Sequence, residues 1–162
     1  MPDDPIRELW RGSHMAIRTK MIETGERPSN VKRYFYEYAH PHWCGGEGVA
    51  ILPYRQREQF SGPYLEAYIR REVVPPWGPQ LSTTCITGGC DKKGEAPVTT
   101  AIRELEEEGG YKLSDETYAT AVDEVRSLGT CRGTKGTDLL YYLFAVDLTD
   151  DKSEKVPIDT SD

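Results

Sequence analysis

Apolar positions recur with two different periods along this chain, and the switches between them outline its elements. Residues 4–24 carry Ile6, Leu9, Trp10, Ile17 and Met21 roughly on one stripe at helical spacing, which predicts an amphipathic N-terminal helix. Asp3 or Asp4 can cap it, and Pro5 suits its first turn. The string Gly12-Ser13-His14-Met15 inside it resembles what a cleaved purification tag leaves behind. No histidine run precedes it and the stripe continues across it, so it reads as native. After a turn-rich stretch, residues 31–38 read as a strand, 40–46 as a loop and 49–52 as a short apolar strand. Residues 64–74 alternate with period two, Leu65, Ala67, Ile69 and Val73 against Tyr64, Glu66, Tyr68, Arg70 and Glu72. A proline-rich break follows, then a candidate strand at 81–87. The period then changes. Val98, Ala101, Ile102 and Leu105 follow the i, i+3, i+4, i+7 rule, so 98–108 is the clearest helix, with Glu95 as cap, Pro97 in the first turn and Gly109-Gly110 as the stop. Residues 118–126 and 139–148 read as strands, the second apolar enough to be central. The polar, acidic tail from Thr149 is expected to be flexible.

Length and charge narrow the class. A chain of 162 residues suits one domain with a real core. This gives an organisation of N-terminal helix and linker (1–30), main domain (31–148) and tail (149–162). The formal net charge is −7, so non-specific coating of nucleic acid is not expected. No apolar run reaches membrane-spanning length, and no signal peptide is evident at the start. Four cysteines (Cys44, Cys85, Cys90, Cys131) form no Cys-x-x-Cys pair, which makes a reducing cytoplasm the simplest setting. His40, His42 and Cys44 alternate as zinc ligands could, but Pro41 and the following glycines argue for a turn, and a fourth ligand is not evident.

The stretch 89–111 carries the chemistry. On its helix, Glu104, Glu107 and Glu108 fall within an arc of roughly 100°. They repel one another and sit near the helix C-terminus, where the dipole disfavours anions. A cluster set against local preference points to a site, and a hard divalent cation, Mg²⁺ or Mn²⁺, is its natural counter-charge. Arg103 lies four residues before Glu107 and can hold a carboxylate. For the glutamate run alone, a solvated helix face is the simpler reading.

The spacing shifts the balance. Gly89, Glu95, Arg103-Glu104-Leu105, Glu107-Glu108 and Gly110-Tyr111 stand where the Nudix hydrolase signature specifies them, so the stretch resembles that family. The resemblance implies an α/β/α sandwich around a mixed β-sheet and hydrolysis of a nucleoside diphosphate linked to another moiety. It implies Glu104, Glu107 and Glu108 as metal ligands, with the Gly89 carbonyl as a further one. Glu104 or a glutamate outside the motif is the candidate base, Arg103 orients the carboxylates and Glu95 supports the loop. The layout weakly resembles the ADP-ribose and nucleotide-sugar branch. That makes Asp138 a candidate to help the attacking water, Arg70 and Arg71 (with Arg55) candidates for phosphate, and Tyr68, Trp43 or Trp77 candidates for base stacking. Each also has a plain surface or packing reading. A small-molecule nucleotide is the expected substrate. A (d)NTP pyrophosphohydrolase and a non-catalytic nucleotide sensor are the alternatives. Retention of all the motif glutamates favours the enzyme. Many nucleotide-sugar members are homodimers, for which Tyr34, Tyr36, Tyr38 and Tyr64 would suit an interface. The chain departs from the family pattern in having no helical tail.

Overall fold

Residues that alternate apolar and polar before an acidic helix settle into a mixed sheet with that helix on its face. The computed structural model describes residues 6–24, 32–73, 79–113, 125–134, 136–149 and 153–155. At the centre is β4 (Glu47–Gln59), flanked in parallel by β11 (Leu140–Asp147) and antiparallel by β5 (Gly62–Ala67) and β8 (Ile86–Gly89). The antiparallel β10 (Val125–Arg132) pairs with β11 at the edge. The central position expected for 139–148 holds, and its parallel partner makes the sheet mixed.

The helix α1 (Pro97–Glu107) lays its apolar stripe on this sheet. Ala101, Ile102 and Leu105 meet Val49 and Ile51 of β4, Ile86 of β8 and Phe144 and Val146 of β11 in one buried core. Glu95 is not the N-cap. Ala96 takes that place without a side-chain bond, Pro97 opens the helix, and Glu95 accepts a 2.8 Å hydrogen bond from Thr100 Oγ1 instead. The glycine stop forms as expected, with Gly110 at φ 69° and its N–H donating to the Glu106 carbonyl at 3.1 Å.

Two smaller pairings flank the sheet: β6 (Arg70–Val73) with β7 (Leu81–Thr84), and β9 (Tyr111–Leu113) with β12 (Ser153–Lys155). The latter places three residues of the polar tail in a strand. The run expected at 64–74 is thus split at Tyr68-Ile69 into β5 and β6. Most of the strand expected at 118–126 lies outside the described residues, as does Trp77.

The N-terminal helix is not there. Residues 6–24 instead form an antiparallel hairpin, β1 (Arg7–Arg11) and β2 (Met15–Thr24), extended by β3 (Lys32–Pro41) into a three-stranded sheet. Gly12-Ser13-His14-Met15 is its turn, with Gly12 N–H donating to the Met15 carbonyl at 2.8 Å. Ile17, Thr19 and Ile22 are β-branched and pair across to β3, so the strand competes successfully with the helical stripe. Among the described residues α1 is the one α-helix, so one helical layer, not the two of a sandwich, is described.

Candidate active site

The solvent side of α1 gathers carboxylates around a single guanidinium. Arg103 Nη1 lies 2.8 Å from Glu104 Oε1 and 2.9 Å from Glu107 Oε2, while Nη2 lies 3.1 Å from Asp91 Oδ1 and 3.8 Å from Glu95 Oε2. Glu108 turns to the other flank, where Arg70 Nη1 holds its Oε2 at 2.6 Å. Arg70 Nε also lies 3.7 Å from Glu72 Oε2, so six carboxylates share two cations. Arg103 bridges Glu104 and Glu107, and Glu95 is tied to α1 through Thr100 Oγ1.

Glu104 is the unusual member. It is 7% exposed, and burial pushes its carboxyl up from 4.5 to about 7; Arg103 opposes the shift, and Glu108 and Glu107 add to it. Its seat depends on a missing side chain: a Cβ on Gly88 would collide with the Glu104 carboxyl group. Gly89 serves a different neighbour, since a Cβ there would strike the Trp43 ring. The double glycine thus lets a carboxylate and an indole approach the same backbone.

Among the described residues, no three His, Cys, Asp or Glu side chains are placed together to hold an ion, and Arg103 and Arg70 take the carboxylate oxygens instead. The donor set nevertheless fits a hard divalent cation. It offers only carboxylate oxygen, and it carries more negative charge than its two guanidiniums offset.

Two cavities open beside this helix. One of about 510 Å³ is lined by Trp43, Tyr141, Glu47, Gly88, Gly89 and Glu108 among others. The other, about 310 Å³, carries Lys92 and Lys93 with Asp91, Glu95 and Glu47. Glu47 and Tyr141 were not singled out from the sequence. Glu47 stands at the first position of β4, accepting a 3.2 Å bond from Tyr142 Oη, and the β4–β8 pairing sets it beside the loop before the helix, where Cys90 N–H donates to its carbonyl at 3.0 Å. Tyr68 and Arg70 also come to the site, lining a small cavity with Glu108. There Tyr68 packs edge-on against Tyr111, with Arg55 over its ring. Arg71 alternates to the opposite face from Arg70 and is exposed.

Asp138 is not brought to the glutamates. His40 Nδ1 lies 3.0 and 2.9 Å from its two oxygens, and since a carboxylate only accepts, that nitrogen carries the hydrogen. Its neighbours Thr137 and Leu139 line the 510 Å³ cavity, whereas Asp138 turns toward the β2–β3 sheet. The zinc reading of His40, His42 and Cys44 also dissolves. His42 Nε2 bonds to the Gly12 carbonyl at 2.9 Å, and Cys44 Sγ donates to the Pro41 carbonyl at 3.5 Å. All four cysteines are free thiols.

A buried glutamate in an acidic cluster, beside two lysines and a cavity lined by Trp43 and Tyr141, sits on the one α-helix described in a mixed α/β fold. Comparison with known proteins makes this specific. The NUDIX domain model matches residues 47–162, and the chain belongs to the Nudix family, whose hydrolases generally use divalent cations. A protein of Acanthamoeba polyphaga mimivirus, provisionally named an mRNA-decapping protein, is 35% identical over 100 residues. That match covers 60% of this chain and 26% of the viral protein, so the chain spans about a quarter of that relative's length. No helix among the described residues is long and apolar enough to cross a membrane.

Proposed function

We propose that this chain hydrolyses a nucleoside diphosphate linked to a second moiety, with a divalent cation, Mg²⁺ or Mn²⁺, held by Glu104, Glu107 and Glu108. The observation that carries the reading is the carboxylate cluster on and beside α1, with Asp91, Glu95, Glu104 and Glu107 around Arg103 and Glu108 on Arg70. Bound there, such a cation would neutralise phosphate charge and acidify the attacking water.

The chain's own residues supply the rest. Arg103 orients Glu104 and Glu107, and Arg70 orients Glu108. Glu104, buried at the centre of the cluster, is the candidate acceptor for the proton that attacking water releases. Lys92 and Lys93 face the diphosphate from the loop before α1. Trp43 and Tyr141 offer flat apolar surface to a nucleobase in the 510 Å³ cavity. Fixed groups of this kind act by positioning and electrostatics, which is most of what phosphoryl chemistry asks of a protein.

ADP-ribose or a related nucleotide sugar is the first substrate reading; two of the residues named as its contacts, Tyr68 and Arg70, stand beside Glu108. A capped RNA 5′ end is the second, favoured by the name of the mimivirus relative. Phosphate-coupled hydrolysis of ADP-ribose, UDP-glucose, capped RNA and the (d)NTPs, with Mg²⁺ and then Mn²⁺, separates them. Preference for a sugar nucleotide supports the first reading, and cap release supports the second. Turnover of triphosphates alone points to nucleotide-pool chemistry. Ligand binding with no turnover anywhere would refute the enzyme.

A further inference from the structure

The family match begins at residue 47, so the sheet β1–β2–β3 lies ahead of it. The β2–β3 register sets Tyr34 opposite Ile22, Tyr36 opposite Lys20 and Tyr38 opposite Arg18. Directly opposed residues share a face. Three tyrosines therefore stand in a row on one face of β3, about 7 Å apart along the strand, beside two cations. Tyr34 and Tyr36 are exposed, at 47% and 36%. Further along, the row enters a cavity of about 490 Å³ that joins Lys20, Tyr36 and Tyr38 to Arg132 and Asp138. Arg132 is fixed at that end by its 3.0 Å bond to the Asp138 carbonyl. The acids nearby are already engaged: Asp138 by His40, and Glu8 by Arg11 at 2.7 Å and Arg18 at 3.7 Å.

We propose that this face binds single-stranded nucleic acid, with bases stacked on Tyr34, Tyr36 and Tyr38 and phosphates along Lys20 and Arg132. Every base presents a π-face to an aromatic ring, and phosphates need fixed cations beside it. The net charge of −7 confines the contact to this cationic strip. A second copy of the chain fits less well. Two-fold docking of the face would bury the Lys20 and Arg132 cations of both copies in one interface with no acid opposite them, where like charges repel. The inference goes beyond the hydrolytic reading and does not need it.

The test is fluorescence anisotropy of the full chain in EDTA, with unstructured RNA and DNA oligonucleotides of about twelve residues, one sequence in both chemistries. Binding is expected, falling steeply between about 50 and 200 mM salt. Tyr34→Ala and Tyr36→Ala each weaken it about tenfold, and Tyr34→Phe, which keeps the ring, does not. Lys20→Gln lowers the salt slope by about one. Binding of RNA alone or of both polymers supports the proposal, and the comparison identifies the polymer. No binding of either at low salt overturns it, as does binding indifferent to the tyrosine and Lys20 variants. Sedimentation showing that Tyr34→Ala splits a dimer, with no oligonucleotide bound, assigns the face to a second copy and also overturns it. EDTA removes hydrolysis from the readout, so failure of the enzymatic reading leaves this result untouched.

Discussion

Replacing Glu104 by Gln should stabilise the cation-free protein while removing its chemistry. Glu104 has a side chain only 9% exposed, and its carboxyl is shifted by burial from 4.5 to about 7. A raised acid is bound to its proton more tightly in the folded state. The stability this gives is complete below about pH 4.5 and is lost as pH rises towards 7. At about 1.4 kcal/mol per unit, keeping this carboxylate ionised in the fold costs about 3 kcal/mol at alkaline pH, net of its attraction to Arg103. Near pH 5 the cost is about 1 kcal/mol, because most folded molecules still hold the proton. Glutamine keeps the shape and carries no charge, so it escapes this cost. Urea unfolding of both proteins in EDTA, near pH 5 and near pH 8.5, reads the difference directly. Glu104→Gln should be the more stable by about 3 kcal/mol at the higher pH and about 1 kcal/mol at the lower. An equal difference at both pH values, or a less stable variant at the higher one, would refute the assignment of burial as the dominant force on Glu104.

Other outcomes follow from the same geometry. Gly88→Ala forces Glu104 from its seat and should lower kcat about 100-fold or more with the fold retained, read by steady-state turnover beside circular dichroism. Leu105→Ala opens a void at the centre of the helix–sheet contact and should cost about 2–5 kcal/mol in chemical denaturation. Asp138→Asn should leave turnover of a small nucleotide within about twofold, since its carboxylate faces His40 and not the glutamates; a large fall in kcat would return it to the reaction.

What the sequence made legible divides along the range of the forces involved. Helix α1 and its stop were readable because Val98, Ala101, Ile102 and Leu105 repeat locally and Gly110 takes the left-handed turn alone. The N-terminal hairpin was not. Ile6, Leu9, Trp10, Ile17 and Met21 satisfy a helical stripe, and the pairing with β3 that overrides it is a long-range contact. The strand read at 49–52 continues to Gln59 because its polar outer half pairs with β5, which no apolar alternation announces. At the site, Glu104, Glu107 and Arg103 sit on one helix, so their grouping was fixed by helical geometry. Glu47, Tyr141 and the turning away of Asp138 depend on the pairing of β4 with β8 and β11 and on the loop before β11, which spacing in a sequence does not encode.

The central claim is that the acidic face of α1 is the cation-dependent hydrolytic centre. The most direct test measures hydrolysis of ADP-ribose and of capped RNA by the chain and by Glu107→Gln, each titrated with Mn²⁺ after EDTA treatment, with Mn²⁺ binding followed by electron paramagnetic resonance. The account predicts turnover of at least one substrate that appears only with the cation, falling about 100-fold or more in the variant alongside weakened Mn²⁺ binding. Turnover that persists in EDTA, or a Glu107→Gln protein that binds Mn²⁺ and turns over like the parent, would contradict it.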